Sequence, residues 1–358
     1  MTSSICAVPA RDLSGDQTGA WSRILSECGL LQSPYLRPEF VQALAAVRND
    51  IEVAVVEHNG EPAAFLPFRR MPWNGARPAG GWLANFQALI ARPEAEIDPL
   101  SIVRACGLRS WQFDHLLRPH AGLEPYVWRA WESPYADLSD GFEGYCRRLR
   151  VERKRLTELE RQQRKMSRDL GEVRFESHVD SRKILYKLFE WKGAQYDRTR
   201  ERNIFASPWV CELLDLLLEY QTDEFASLLS VLYAGNRIAA IAYTLRSGPN
   251  LHGWFTAFDR ELYSYSPGMQ LLMELFKAAE GLGIKRVDLG KGPEGYKRRF
   301  MTDATHVYEG TVDSNSLVAN IRQSWWHTKD WVRESRLAST ARASARLVRG
   351  VQGWLEMG

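Results

Sequence analysis

The chain repeats itself. Ser33-Pro34-Tyr35 and Ser207-Pro208-Trp209, 174 residues apart, each open an apolar-periodic stretch. In both, the serine suits a helix cap and the proline suits the first turn. Asn59-Gly60 leads to Ala63-Ala64-Phe65, and Gly235-Asn236 leads to Ala239-Ala240-Ile241, 176 further on from Ala63 to Ala239. Both dipeptides suit tight turns between antiparallel strands. Gly81-Trp82 with Phe86 returns as Gly253-Trp254 with Phe258, 172 on, and Phe113-Asp114 returns as Val287-Asp288, 174 on. Four matches in one order at nearly one offset mean a duplicated unit, and both copies must then share a single fold.

Each copy reads as helix, helix, strand, turn, strand, strand, helix, strand. In the second copy the pattern predicts a short strand at 172–176 and helices at 181–197, 207–221 and 267–281. Strands fall at 225–234, 237–246, 250–260 and 286–290. Residues 98–105 take the place of helix 267–281 in the first copy. The runs 228–233 and 238–245 are almost continuously apolar, which suits a sheet covered by helices on both faces.

With 358 residues, 45% hydrophobic and 25% charged, the chain can bury two ordinary cores, and a disordered or fibrous body is excluded. It has no run long and apolar enough to span a membrane, and its start lacks the basic and apolar regions of a leader, so a cytoplasmic protein is expected. The five cysteines and seven histidines are scattered without metal-ligand spacing, so neither a metal centre nor a disulfide framework is expected. The net charge of +3 conceals two basic segments. Glu143 to Asp169 holds ten Lys/Arg against five Asp/Glu, and Leu317 to Gly358 holds seven against three. The first, a helix over 145–170, reads as a solvated connector or a contact for an anionic partner; without an RNA-binding aromatic signature, nucleic acid is disfavoured. The second places Leu337, Ala341, Ala345 and Val348 apart from Arg342, Arg346 and Arg349. Such a basic amphipathic helix suits either the inner face of a membrane, a synthase complex, or docking on the protein itself. The organisation expected is an N-terminal unit at 1–140, a basic connector at 141–171, a C-terminal unit at 172–313 and a helical tail at 314–358.

The copies differ where the third strand meets the next helix. The second has Tyr265-Ser266-Pro267-Gly268-Met269-Gln270, with a cap, a first-turn proline and a glycine where backbone N–H groups point outward. Such a helix start favours phosphate. The first copy has Arg92-Pro93-Glu94-Ala95, and Glu94 would repel one.

That order of elements resembles the GCN5-related N-acetyltransferase (GNAT) fold, so the fold class expected is α/β, tandem duplicated GNAT folds with mixed sheets flanked by helices. The second half is similar to the CelD/BcsL-type acetyltransferases with a BioF-like domain, through Trp191-Lys192, Gln195-Tyr196, Trp254-Phe255, Tyr265 to Gly268, Asp288 to Gly292, and Tyr296-Lys297 with Phe300. Fem-type transferases also look like tandem GNAT folds. The loop departs from the usual GNAT pattern in having one glycine. The resemblance implies acetyl-CoA or another acyl-CoA as co-substrate, its pyrophosphate on Ser266, Pro267, Gly268, Met269 and Gln270 and its pantetheine along strand 250–260.

Acyl transfer also needs a base for the acceptor and an acid for the leaving thiolate. Asp288, at a strand end, is the candidate base, with His252 and Asp259 behind it, and Tyr296 is the candidate acid. Trp191, Lys192, Gln195, Tyr196, Trp254 and Lys297 are candidates for holding an acceptor, an aromatic platform with polar neighbours suiting a sugar-like amine or hydroxyl. Three functions follow as expectations: acetyl transfer to a polysaccharide or cell-envelope precursor, a Fem-like transfer from aminoacyl-tRNA, or a non-catalytic subunit of a membrane-bound synthase.

Overall fold

A computed structural model describes residues 3–92, 95–118, 121–149, 153–292 and 295–315. The first half runs β1 (Ser3–Pro9), α1 (Gly15–Glu27), α2 (Pro38–Val47), β2 (Ile51–His58), β3 (Glu61–Arg70), β4 (Gly75–Pro78), β5 (Ile90–Ala91), α3 (Pro99–Ala105), β6 (Ser110–Leu116) and β7 (Val127–Asp137). Helices α4 (Gly141–Arg148) and α5 (Arg153–Leu170) lead to the second half. This runs β8 (Val173–Glu176), α6 (Arg182–Thr199), α7 (Pro208–Leu217), β9 (Ala226–Ala234), β10 (Arg237–Ser247), β11 (Asn250–Phe258), α8 (Pro267–Ala278), β12 (Arg286–Asp288), α9 (Lys297–Phe300) and β13 (Asp303–Asp313).

The thirteen strands among the described residues form one sheet in the order β1-β2-β3-β4-β6-β13-β7-β12-β11-β10-β9-β8, with β5 added against β3. The order is symmetric about its centre. Each half builds five strands outward from the middle, and the other half supplies its innermost one: β13 pairs antiparallel with β6, and β7 with β12. The ranges 1–140 and 172–313 therefore exchange their last strands, and neither contains a whole sheet. These two strands are missing from the repeat pattern read in the sequence. Their faces explain why: along β7, from Val127 to Glu132, most residues are only half-buried, so neither apolar continuity nor clean alternation marks the segment.

The symmetry extends to side chains. Trp254 of β11 packs edge-on against Tyr35 of the first half, with ring centres 5.7 Å apart, and Trp82 packs against Trp209 of the second at 6.4 Å. Along β10, Ile241, Tyr243 and Leu245 face a core shared with α6, α7 and the first half. Ala240 and Ala242 face the opposite way, onto Leu271 of α8 and Met166 of α5. Both faces are thus covered, and each fully buried leucine in these layers contributes about 2 kcal/mol.

Two local expectations change. The basic segment 145–170 is not one helix: α4 ends at Arg148, and α5 begins at Arg153. The Tyr145 hydroxyl donates to the Phe300 carbonyl, and Arg148 turns back to Asp140 and the Asp137 carbonyl, so α4 is anchored on its own surroundings. The third strand of the first copy is also broken. After β4 the chain makes a tight 3-10 turn at Gly81–Leu83 and rejoins the sheet only at Gln87, bridged to Leu116, and at β5. The tail at 314–358 lies outside the described residues from 316 on, so its amphipathic helix does too.

Candidate functional site

In the second half β11 is continuous but bulged. Thr244 pairs with Gly253 and Tyr243 with Phe255, so Trp254 is the extra residue, and the strand bends there. Its parallel pairing with β12 stops at His252 opposite Asp288. Beyond that point the strands part, and a cavity of about 440 Å³ fills the gap. On one face of the sheet it is bounded by Thr256, Phe258, Leu272 and Leu275, and on the other by Lys192, Gln195 and Trp254. It therefore runs through the sheet. The slot is apolar on the α8 side and polar on the α6 side.

The start of α8 opens on this slot, though not as the sequence suggests. Ser266 has left-handed φ of 54° and makes no side-chain cap. Its carbonyl already accepts from the N–H groups of Met269 at 2.9 Å and Gln270 at 3.1 Å. Of the N–H groups of Gly268, Met269 and Gln270, which were to hold the phosphate, only that of Gly268 has no partner among the described residues. The Gln270 side chain is buried and donates to the Leu159 carbonyl at 2.7 Å, tying α8 to α5. Pro267 occupies the first turn. A Cβ on Gly268 would meet only Phe258 and Thr256, at 3.5 and 3.9 Å, so the glycine keeps the entrance open rather than relieving a clash. In the first half the equivalent helix, α3, is closed: Asp98 accepts from the N–H groups of Leu100 and Ser101, each at 3.0 Å. Glu94 lies outside the described residues, and Asp98 is the carboxylate that answers the dipole.

Asp288 is 1% exposed, and its neighbours Val287 and Leu289 line the slot while it does not. Its Oδ1 accepts from the Ser133 hydroxyl at 3.2 Å and the Gly290 N–H at 2.9 Å. Burial pushes its carboxyl up to about 6, with Arg286, Gly290 and Ser133 opposing. His252, beside it, is buried between Tyr35 and Phe86 rings, its Nδ1 has no hydrogen-bond partner among the described residues, and burial pushes it down to about 3. A neutral imidazole and a reluctant carboxylate thus sit behind the wall. Asp259 is engaged elsewhere, bonding Arg237 and capping the turn before Tyr265.

Tyr296 is 38% exposed, lines the slot and stands just before α9. Lys297 Nζ donates to the carbonyls of Gly290 at 3.2 Å and Lys291 at 3.0 Å, closing the loop after β12. Lys192 donates to Gln195 Oε1 at 3.2 Å and lies 5.0 Å above the Tyr196 ring, and burial pushes its ammonium below the ordinary value. Trp254 donates from Nε1 to the Leu83 carbonyl at 2.9 Å. Trp191 is not on the slot; it packs on the core beneath α6. Two lining residues come from the first half and were missed: Asn85, which donates to the Gly253 carbonyl and the Tyr35 hydroxyl, and His115. The repeat did carry a signal, because it aligns Asp114, the neighbour of His115, with Asp288. Among the described residues no group of three His, Cys, Asp or Glu could hold a metal ion, and no helix is long and apolar enough to cross a membrane.

Residues 153–298 match the family model described as acetyltransferase (GNAT) domain. No curated protein matches the chain. Solved structures with a similar fold include L-PGS from Bacillus licheniformis, 12% identical over 86% of this chain and 96% of that one, TM-score 0.53. A DUF2156 domain from Agrobacterium fabrum, described as part of a lysylphosphatidylglycerol synthetase, is 13% identical over 85% and 94%, TM-score 0.52. FemX is 9% identical over 76% and 90%, TM-score 0.51. The duplicated elements, the slot between parted strands and the family match agree: residues 153–298 match an acetyltransferase (GNAT) domain, and the whole chain has the duplicated fold of these solved structures.

Proposed function

We propose that the protein transfers an acyl group, acetyl in the simplest case, from acyl-CoA to an amine or hydroxyl of a polysaccharide or cell-envelope precursor, by direct attack on the thioester. The observation that carries this reading is the slot through the sheet beside the uncapped start of α8. The pyrophosphate would sit at Gly268, where a free N–H and the helix dipole favour an anion. The pantetheine would run between β11 and β12, and β11 backbone would face the thioester carbonyl. Tyr296, on the slot wall, would protonate the leaving thiolate. The acceptor would enter on the α6 side, against Lys192, Gln195 and Trp254. A cellulose or exopolysaccharide precursor is the class suggested by the CelD/BcsL-type resemblance, and the basic tail would bring the enzyme to the inner face of the membrane or to a synthase complex.

The likeness to L-PGS and FemX favours a second reading, an aminoacyl donor. Calorimetric titration separates the two. Acetyl-CoA is expected to bind in the micromolar range, about −8 kcal/mol, and Gly268→Glu is expected to abolish binding. A folded parent that binds aminoacyl-tRNA and not acetyl-CoA would overturn the first reading.

A further inference from the structure

The first half gives the slot more than a wall. Near the end of β6 the side chains of Asp114 and His115 meet, with His115 Nδ1 3.0 Å from Asp114 Oδ1. Gln87, 2% exposed, clamps both. Its Oε1 accepts from the Asp114 and His115 N–H groups, each at 3.1 Å, and its Nε2 donates to Asp114 Oδ1 at 2.7 Å. Its backbone is tied to the same strand: the Gln87 N–H donates to the His115 carbonyl at 3.0 Å, and the Leu117 N–H donates to the Gln87 carbonyl at 2.7 Å. Lys291, from the second half, donates to the Asp114 carbonyl at 2.7 Å.

A carboxylate at Nδ1 selects the tautomer in which Nε2 is the basic nitrogen. His115 lines the slot with Gly253, Lys291 and Tyr296, and its Nε2 has no hydrogen-bond partner among the described residues. Burial pushes the Asp114 carboxyl up, but the bond and charge of His115, with Gln87 and Lys291, hold it below its ordinary value. It is an anion at neutral pH and accepts the Nδ1–H of the imidazole.

We propose that His115 is the general base of the transfer and Asp114 its positioning residue, so that the first half completes the active site of the second. This rests on the acyl-CoA reading above. His115 Nε2 takes the proton of the acceptor amine or hydroxyl as the nitrogen or oxygen lone pair forms a bond to the thioester carbonyl carbon. The carbonyl π pair moves to oxygen. When it returns, the C–S bond breaks and its electron pair leaves on sulfur. The thiolate takes the Tyr296 proton, and the proton held on His115 restores the tyrosine, so the products are the acylated acceptor and free CoA thiol. Asp288 is the rival base, but its carboxyl lies off the slot with Oδ1 engaged by Ser133 and Gly290.

The test uses the full chain with acetyl-CoA as donor and water or glucosamine as acceptor, read as thiol release, beside calorimetric titration with acetyl-CoA. His115→Gln is expected to lower thiol release at least 100-fold, the usual span of general base catalysis, with acetyl-CoA affinity within threefold and partial rescue by added imidazole. Asp114→Asn is expected to lower kcat at least tenfold with the acetyl-CoA KM unchanged. Nitrogen-15 spectra of the parent are expected to show His115 protonated at Nδ1 and bare at Nε2. Thiol release by His115→Gln above a third of the parent's, a larger loss on Asp288→Asn, or the opposite tautomer each overturns the proposal. Failure of the parent to bind acetyl-CoA sinks the donor reading instead, and the tautomer then decides whether the pair is built as a base.

Discussion

The buried carboxyl of Asp288 makes a stability prediction of definite sign. Its folded value is raised from the ordinary 3.8 to about 6, chiefly by burial. A carboxyl that is a weaker acid when folded holds its proton more tightly in the native state. Its contribution to stability is complete well below about pH 4 and is lost as pH rises through about 6. At about 1.4 kcal/mol per pH unit the loss amounts to about 3 kcal/mol. Asp288→Asn keeps an oxygen for the Ser133 hydroxyl and the Gly290 N–H while removing the titration. Urea unfolding of parent and variant from pH 4 to pH 8 isolates the effect, because other groups titrate alike in both. The parent is expected to lose about 2 kcal/mol relative to the variant between pH 4 and pH 7, the remainder of the loss falling below pH 4. A constant difference would refute the reasoning. A parent that gains on the variant as pH rises would show that Arg286, 3.4 Å away, outweighs burial.

Gly268→Glu is expected to raise the acetyl-CoA Kd at least 100-fold while leaving the thermal midpoint within about 2 °C, since a Cβ there meets only ordinary contacts. Gly310→Ala is expected to cost about 3 kcal/mol or more in urea unfolding, because the new Cβ would lie 2.1 Å from the Tyr126 carbonyl and 2.4 Å from the Phe113 ring. Trp254→Ala is expected to cost about 3 to 5 kcal/mol by the same assay, through loss of its bond to Leu83 and its contacts with Tyr35 and Tyr243. A chain ending at Thr302 lacks β13, leaving β6 and β7 with open edges at the centre of the sheet. It is expected to lack the amide dispersion of a folded protein; a dispersed spectrum would show that the exchanged strand is dispensable.

How much of this was legible depended on how local the signal is. The repeat, the hairpins at Asn59-Gly60 and Gly235-Asn236, and α8 with its proline start are fixed by residues close in sequence, and the structure has them where the pattern put them. The exchange of β7 and β13 was not legible, because nothing in a strand states which copy of a duplicated sheet it will join. Ser266 misled for a related reason. Serine before proline suits a side-chain cap, but here its backbone turns left-handed after Tyr265, whose hydroxyl bonds Asp169 at 3.0 Å. Asp288 was singled out as the candidate base by its position at a strand end, whereas its burial behind the slot wall and its partner Ser133, 155 residues away, follow from the exchanged β7. For His115 the only signal was the repeat, which sets its neighbour Asp114 opposite Asp288. Its role depends on Gln87, brought beside it by the break in the third strand.

That break explains why a symmetric duplication yields one slot. In both halves the third strand begins parallel to the strand after the helix, at Gly75 beside Ser110 and at Asn250 beside Arg286. In the second half the bulge at Trp254 lets the strands diverge and the gap stays open. In the first, the turn at Gly81–Leu83 takes up chain, and Gln87 returns to bond Asp114, His115 and Leu117. The residue that seals the first gap is the residue that aims His115 at the second. On the proposed reading, closure of the gap in one copy and the placing of His115 at the other are then a single structural change. A Gln87→Ala variant is therefore expected to lower turnover through His115 without touching acetyl-CoA affinity, and an unchanged turnover would separate the two events.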